Sequence, residues 1–270
     1  MNTRRNLGRL GFAAAAAVTV MGGLATPAHA AGPTVTVEDG NNVKYVGTGF
    51  ADRITVSSDL VGTVLLENTV SPISPGSGCQ AVTSAKVRCS ATTSGSVIDL
   101  VHLDLKAGAD TAKVQTSVRT TIIGGEDGDT YFGASSRKGT TVIFSGDGGV
   151  DRADYSGSSS GVLIDLDGAA DDGRLGQDQD NVTATVEDVT GSDHADSLRG
   201  NAGTNRIVGG LGADALRGGA GDDQLVASEN AFGGSEVDQA DLSCGKGNDS
   251  IVLDVLDPRT SECETVTRVD

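Results

Sequence analysis

Acidic residues dominate this 270-residue chain: 37 Asp and Glu stand against 20 Lys and Arg, giving a formal net charge of −17 at pH 7. That balance excludes nucleic acid and anionic membrane surfaces as natural partners, because both would repel the protein. Aromatic residues make up 3% of the chain and Trp is absent, so the core must be narrow and aliphatic. Such a composition favours disorder unless bound divalent cations offset the repulsion.

Residues 1–30 are typical of a cleavable export signal. Three arginines precede an Ala-rich apolar run from Leu10 to Leu24, and Ala28-His29-Ala30 forms a small-x-small cleavage site. The run is too short for a membrane span, and no later segment approaches the ~20 apolar residues that a span needs. Loss of the three arginines leaves residues 31–270 with a net charge of −20. We expect a secreted protein, exported by the general secretory or the twin-arginine route.

The N-terminal region, residues 31–105, has a β pattern without competing helical periodicity. Short β-branched or alternating runs, separated by Gly, Pro, Asn and Ser, predict strands at 34–37, 54–56, 64–66 and 97–105. Within this region, residues 47–54 look like a degraded copy of a nine-residue repeat that is regular further along the chain. In that copy Asp52 and Ile54 occupy the sixth and eighth positions.

Four cysteines in an exported chain suggest two disulfides, for which three connectivities are possible. Proximity in the sequence favours Cys79 with Cys89 and Cys244 with Cys263. The alternative is metal binding by the thiols, but two distant pairs without a histidine fit no zinc-site spacing. Each disulfide would close a short loop and contribute about 3 kcal/mol by the chain-entropy model.

Residues 106–190 contain partial copies of the repeat at irregular spacing. The copies at 124–131 and 146–153 keep an aspartate at the sixth position, Asp129 and Asp151, while Gly108-Ala109-Asp110 is a fainter copy. Because the two clear copies are 22 residues apart, insertions must loop out between them. A Gly-rich acidic loop follows and is either a further cation site or solvated surface; its aspartates are Asp165, Asp167, Asp171, Asp172, Asp178 and Asp180.

Four nine-residue units follow one another without insertion from residue 191 to residue 226. They read GSDHADSLR, GNAGTNRIV, GGLGADALR and GGAGDDQLV. The glycines permit tight turns with positive φ, and the eighth position is always aliphatic. A single unit cannot bury that aliphatic residue, so stacking should place Leu198 near Leu216 and Ile207 near Leu225. The same stacking brings Asp196 beside Asp214, and two close carboxylates repel each other unless a cation such as calcium lies between them.

These units resemble the RTX, or haemolysin-type, calcium-binding repeat, whose consensus is G-G-x-G-x-D-x-U-x with U a large aliphatic residue. The resemblance implies a right-handed parallel β-roll in which two units make one coil and each Ca²⁺ lies between turns one coil apart. It also implies ligands drawn from the sixth-position side chains, neighbouring acids and turn carbonyls. The candidate calcium ligands are Asp196, Asn205, Asp214, Asp222, Asp223, Gly209, Gly218, Asp129, Asp151 and Asp249.

The first two units depart from the consensus, so their sites are expected to be weaker or vacant. His194 replaces the fourth-position glycine of the first unit, and Asn205 replaces the aspartate of the second. A disordered Gly/Asp linker is the simpler alternative, but it would not keep an aliphatic residue in register four times. Residues 227–270 contain one more copy at 244–251, and we expect them to form a capping coil closed by the second disulfide.

The sequence offers little for catalysis. Outside the export signal only His102 and His194 remain, and neither has a catalytic or metal-ligand spacing. Residues 157–161 match the G-x-S-x-G string, but they lie in a Ser-rich stretch without a helical pattern after it.

We therefore predict a non-enzymatic, all-β protein: a right-handed parallel β-roll or β-helix solenoid with a β-rich N-terminal part and a disulfide-tied C-terminal cap. Its predicted cofactor is Ca²⁺, and its predicted role is structural or adhesive, with cell-wall or extracellular glycan as a partner. A secreted hydrolase with an accessory calcium-binding module is the alternative.

Overall fold

The computed structural model describes residues 32–59, 62–133, 139, 141–227, 241–254, 257, 260 and 262–269. These residues form β-strands joined by turns and contain no helix, so none of their elements is a helix long and apolar enough to cross a membrane. Residues 31–270 make one compact unit. The predicted export signal, residues 1–30, lies outside the described residues.

The strands are short, as expected where one inward side chain alternates with exposed ones. In chain order they begin with β1 Thr34–Glu38, β2 Asn42–Val46, β3 Arg53–Ser57, β4 Thr63–Asn68, β5 Ser74–Pro75, β6 Cys79–Ala81, β7 Lys86–Ser90, β8 Leu100–Asp104, β9 Thr111–Gln115, β10 Arg119–Gly125, β11 Thr130–Phe132 and β12 Val142–Asp147. They continue with β13 Arg152–Asp154, β14 Val162–Asp165, β15 Gly173–Arg174, β16 Asn181–Val182, β17 Asp188–Thr190, β18 Ser197–Arg199, β19 Arg206–Val208, β20 Ala215–Ala220, β21 Gln224–Val226, β22 Leu242–Lys246, β23 Ser250–Asp254 and β24 Thr265–Val269.

Three sheets arise from these strands, and parallel pairing dominates them from β8 onward. The longest sheet has the order β24-β23-β21-β19-β17-β13-β11-β9-β3-β4-β7-β6. The other two are β16-β12-β10-β8-β2-β1-β5 and β15-β14-β18-β20-β22. In the regular repeats each strand pairs with the strand two units later, which is consistent with a β-roll.

In the regular repeats the core is a pair of aliphatic columns formed by that pairing, whereas earlier in the chain it also contains Tyr45, Tyr131, Phe144 and Tyr155. Leu198 is in register with Leu216, and Ile207 is in register with Leu225, as the nine-residue period predicted. All four side chains are buried. Because each strand contributes about one inward residue, a strand gains its burial only from its neighbours in the stack.

The N-terminal region joins the parallel sheets instead of standing apart from them. Its hairpins β1–β2 and β3–β4 are antiparallel, but β2 pairs in parallel with β8 and β3 pairs in parallel with β9. The strands predicted at 34–37, 54–56 and 64–66 are confirmed, and the one predicted at 97–105 is shorter, at β8. Strand β8 begins at Leu100, the first of its residues in register with β2 and β10.

Both disulfides favoured by sequence proximity are confirmed. Cys79 and Cys89 face each other on the antiparallel strands β6 and β7. Cys244 of β22 is bonded to Cys263, which lies just before the edge strand β24. The second disulfide therefore fastens the last strand of the longest sheet to a neighbouring sheet.

Candidate metal centre

Each copy of the repeat begins with a six-residue turn, which we number from position one to the aspartate at position six. In the turn 218–223, the second and fourth residues, Gly219 and Gly221, have φ of 115° and 110°. We call a turn open when both of these positions have positive φ, and closed when neither does. Glycine adopts this conformation without strain, whereas other residues rarely do.

Six turns in the described part of the chain are open, and they end at Asp110, Asp129, Asp151, Asp214, Asp223 and Asp249. Three turns are closed, and they end at Asp52, Asp196 and Asn205. The first two regular repeats therefore differ from the last two in backbone conformation, not only in side chains. Ser192 and Asn201 occupy the second position of those two closed turns.

One carboxylate oxygen of the sixth residue links successive turns of a stack. Oδ1 of Asp214 accepts the backbone N–H of Asp196 at 2.9 Å, and Oδ1 of Asp223 accepts that of Asn205 at 2.8 Å. Asp249 Oδ1 accepts the N–H of Asp223 at 2.7 Å. The sixth-position side chains thus form a buried ladder that holds each carboxylate in a fixed orientation.

The second oxygen distinguishes the two classes of turn. In the closed turn that ends at Asp196, Oδ2 accepts the N–H of the second residue, Ser192, at 2.5 Å. Asn205 has only one side-chain oxygen, and this oxygen accepts the N–H of the second residue of its own turn, Asn201, at 2.8 Å. Positive φ reorients the second peptide group in open turns. There Oδ2 is buried without a hydrogen-bond partner in five aspartates: Asp110, Asp129, Asp151, Asp223 and Asp249.

Burying a carboxylate oxygen without a hydrogen-bond partner is costly when the carboxylate is ionised. Burial raises the pKa of Asp110 to about 8 and that of Asp129 to about 7. It raises the pKa of Asp151 and of Asp223 to about 6. Backbone N–H donors oppose the rise, and neighbouring carboxylates add to it. A bound cation would favour the charged form and remove this cost.

Backbone carbonyl oxygens approach these Oδ2 atoms where the first position of the turn is glycine. A Cβ on Gly218 would lie 2.3 Å from the carbonyl oxygen of Cys244 and 2.5 Å from Oδ2 of Asp223. A Cβ on Gly124 would lie 2.2 Å from Oδ2 of Asp129 and 2.7 Å from the carbonyl oxygen of Gly146. Glycine at this position therefore lets a carboxylate and a carbonyl from two stacked turns converge.

This donor set fits calcium. The converging atoms are carboxylate and carbonyl oxygens, which Ca²⁺ prefers, with no nitrogen or sulfur among them. No group of three or more His, Cys, Asp or Glu side chains in the described residues is arranged to hold a metal, so backbone carbonyls must complete any site. A calcium site here would consequently lie between turns instead of within one.

The candidate ligands predicted from the sequence fall into three groups. Asp214, Asp223, Asp129, Asp151 and Asp249 all end open turns, and Gly209 and Gly218 are first residues of such turns. Asp196 and Asn205 end closed turns, where both of their side-chain polar atoms bond protein groups. Asp222 is exposed and accepts the N–H of Asn248, so it lies outside the buried ladder.

Asp110 belongs to the buried ladder but is absent from the predicted ligands. Its turn carries Lys106 at the second position, where φ is 84°, so the consensus glycine is missing. The available signal was Gly108 two residues before the aspartate, together with Ala112 at the eighth position. Spacing alone does not reveal it, because 19 residues separate Asp110 from Asp129 instead of 18.

The acidic loop around residues 165–180 contains exposed and buried aspartates. Asp167 and Asp171 are exposed, which agrees with the solvated-surface alternative, whereas Asp172, Asp178 and Asp180 are buried. Oδ1 and Oδ2 of Asp172 accept the N–H groups of Asp165 and Val182, each at 2.7 Å. Asp178 pairs with the buried Arg174 at 2.7 Å. Asp180 accepts hydrogen bonds from the hydroxyl groups of Tyr131 and Tyr155, at 3.3 and 3.1 Å, and from the N–H of Val142 at 3.0 Å. Protein donors thus occupy the buried carboxylates of this loop.

Comparison with known families agrees with the regular repeats. Residues 190–225 match the family model of the RTX calcium-binding nonapeptide repeat, with four copies. No curated protein matches the chain. The matched residues include both closed turns of the repeat region and two of the six open turns. The sequence match identifies residues 190–225 of this chain as RTX calcium-binding nonapeptide repeats.

Proposed function

We propose that this protein is a secreted calcium-binding protein whose parallel sheets form a right-handed β-roll ordered by Ca²⁺ between stacked open turns. The turns 218–223 and 244–249 carry the proposal. Gly219 is in register with Gly245, so the two turns lie directly against each other. Asp223 and Asp249 each present a buried Oδ2 without a hydrogen-bond partner.

Residues of both turns would hold the ion. Asp223 and Asp249 would supply carboxylate oxygens, and Cys244, whose carbonyl oxygen approaches Gly218 together with Oδ2 of Asp223, would supply a carbonyl oxygen. The ladder fixes each carboxylate through Oδ1, so Oδ2 is already oriented before a ligand arrives. When bound, Ca²⁺ supplies the positive charge that these buried oxygens lack. Asp214 ends a further open turn, 209–214, and would be a ligand there.

Coupled folding and binding follows from the charge of the chain. Residues 31–270 carry a net charge of −20, and their core is a narrow aliphatic column. Self-repulsion and buried carboxylates both oppose the stacked state without cations. Binding only to the folded form would therefore stabilise the stack by mass action.

A structural or adhesive role outside the cell is the use we propose for the ordered roll, with cell-wall or extracellular glycan as the partner. The chain has a candidate export signal, and its G-x-S-x-G string lies in a loop that a strand follows, β14, instead of a helix. These observations support a non-enzymatic protein. Co-sedimentation of the calcium-loaded protein with cell-wall material tests the role, and absence of retention would count against it.

Calcium binding itself is tested with two neighbouring aspartates. Titration calorimetry or equilibrium dialysis of residues 31–270 is expected to show calcium retained at millimolar concentration. Asp223→Asn should weaken binding at its site by roughly tenfold or more, because a charged ligand of the ion is lost. Asp222→Asn is the matched control, since Asp222 is exposed and its amide replacement can still accept the N–H of Asn248.

Two outcomes would contradict the proposal, one of them the calcium-binding function and the other the location of the site. A wild-type chain that retains no calcium would remove the function altogether. Equal effects of the two substitutions would show that calcium binds to surface charge and not between the turns.

A further inference from the structure

We infer that the protein has a second group of calcium sites, built between the turns that end at Asp110, Asp129 and Asp151. The inference rests on the proposed function but places ions outside the matched residues 190–225. It also assigns no ion to the two closed turns within the match, which stack on the open turns 209–214 and 218–223. Turn conformation, not similarity to the consensus, would then decide where calcium binds.

Stacking brings the three turns together. Strand β11 pairs in parallel with β9 on one side and with β13 on the other. Thr130, which follows Asp129, is in register with Thr111 and Arg152, which follow the other two aspartates. The aspartate ladder runs through all three turns: Asp129 Oδ1 accepts the N–H of Asp110 at 2.8 Å, and Asp151 Oδ1 accepts that of Asp129 at 2.7 Å.

The carboxylate oxygens without hydrogen-bond partners lie in three consecutive turns of this stack. Asp110, Asp129 and Asp151 are each at most 1% exposed, and Oδ2 of each has no hydrogen-bond partner. Three such carboxylates in succession form the longest uninterrupted run of them in the described chain. Oxygen-only sites between successive turns are suited to Ca²⁺ and unsuited to softer transition metals.

The open conformation persists here although each turn lacks the consensus glycine at either its second or its fourth position. Lys106, Asp127 and Asp147 have φ of 84°, 73° and 69°, a region that side chains other than glycine rarely adopt. In the turn 146–151, Asp147 replaces the second-position glycine, yet Oδ2 of Asp151 still lacks a hydrogen-bond partner. The backbone of these turns therefore keeps the feature that distinguishes open from closed turns in the regular repeats.

No protein cation neutralises the group in the described residues. Lys106 pairs with Asp104 at 2.7 Å, and Arg152 pairs with Asp188 at 2.8 Å, so the nearest basic side chains face other carboxylates. Asp127 and Asp147 add exposed negative charge at the rim of the turns. This charge would attract a divalent cation toward the buried oxygens.

Tyrosine distribution provides a probe that is specific to this group. The chain has three tyrosines and no Trp. Tyr131 follows Asp129 by two residues, and Tyr155 packs against it with ring centroids 6.0 Å apart. Terbium(III), which takes oxygen ligands as calcium does, should therefore show tyrosine-sensitised luminescence when bound here. The turns 218–223 and 244–249 contain no aromatic residue.

We expect residues 31–270 to give sensitised terbium emission that calcium displaces. Asp129→Asn should reduce the emission several-fold and remove at least one bound calcium ion, while the exposed control Asp222→Asn should leave the emission unchanged. Asn keeps an oxygen to accept the N–H of Asp110, so the ladder and the circular dichroism spectrum should persist. If Asp129→Asn does not fold, Asp151→Asn tests the same group.

A second experiment converts a closed turn into an open one. Asn201→Gly combined with Asn205→Asp gives the second repeat the sequence GGAGTD at positions one to six, and the variant should bind one more calcium ion. Calcium binding by the wild type with emission absent, or unaffected by Asp129→Asn, would overturn the inference while the proposed function stands. Failure of the double variant to gain an ion would overturn the assignment of binding to turn conformation. Absence of all calcium binding would instead remove the proposed function.

Discussion

Chelation of calcium from residues 31–270 is expected to lower the melting temperature by tens of degrees and to abolish much of the β-structure. Each site that is filled at 100 times its dissociation constant stabilises the folded state by about 2.7 kcal/mol. For a domain of this size, each kcal/mol corresponds to roughly 2–4 °C in melting temperature. Several sites between stacked turns would therefore account for a large part of the stability.

The physical reason is the set of buried carboxylate oxygens without protein partners. Five aspartates of open turns present such an oxygen, and burial raises the pKa of four of them. Without a cation each of these groups must either bind a proton or remain charged in a dry environment. Both alternatives weaken the stack from which the aliphatic columns gain their burial.

The measurement is circular dichroism and scanning calorimetry in calcium, in excess chelator, and in magnesium at the same ionic strength. Magnesium is the control for general screening, because it demands a tighter octahedral geometry and keeps its water ligands. We expect the melting temperature in magnesium to resemble that in chelator. Equal melting temperatures and equal β content in calcium and chelator would contradict the coupling of binding to folding.

A single methyl group at Gly200 is expected to destabilise the protein by about 3 kcal/mol or more, at the upper end of overpacking costs. The Cβ of Gly200→Ala would lie 2.2 Å from the carbonyl oxygen of Gly218 and 2.5 Å from Oδ1 of Asn205. The first atom belongs to the backbone of a stacked strand, so it cannot move without changing the spacing between turns. Unlike the second and fourth positions of open turns, Gly200 has no positive φ, and the predicted cost is therefore one of space alone.

Gly203→Ala is the matched control within the same turn. Its Cβ would have one close neighbour, Oδ1 of Asn201 at 3.2 Å, which is the end of a side chain that can shift. We expect a change within about 1 kcal/mol, since alanine also reduces the entropy of the unfolded chain. Urea unfolding at saturating calcium compares the two variants, and similar midpoints would show that the stacked turns are not as closely spaced as the structure has them.

Local features account for what could be predicted about the fold. The period of nine residues placed Leu198 against Leu216 and Ile207 against Leu225, because one inward aliphatic per unit can be buried only by its neighbours in the stack. Short separations in sequence also favoured the two disulfides, since close cysteines meet with little loss of chain entropy. Both kinds of inference depend on residues near each other in the chain or on strict repetition.

The acidic residues show what local sequence patterns do not predict, namely which aspartates are buried and what they bond. Asp222 and Asp223 are adjacent and chemically identical, yet one is exposed and bonded to Asn248 while the other is buried in the ladder. Asp172 and Asp180 lie in a stretch that reads as an acidic loop, and they are buried acceptors for backbone and tyrosine donors from other strands. The donors to Asp172 lie 7 and 10 residues away and those to Asp180 lie 25 or more residues away, so the nine-residue repeat identifies neither aspartate.

By itself, the sequence determined that the chain is all-β, that its regular repeats stack with a fixed register, and that those repeats are of the calcium-binding RTX type. The tertiary structure decided which turns are open: Lys106 has a φ of 84°, which its residue type does not predict, whereas Ser192 has no positive φ. It also decided which carboxylate oxygens lack a partner, since the donors that satisfy Asp196 come from Ser192 and from Val162, which lies 34 residues away. Hydrogen bonds between stacked turns depend on three-dimensional neighbours, and the repeat consensus records only the residue types that permit them.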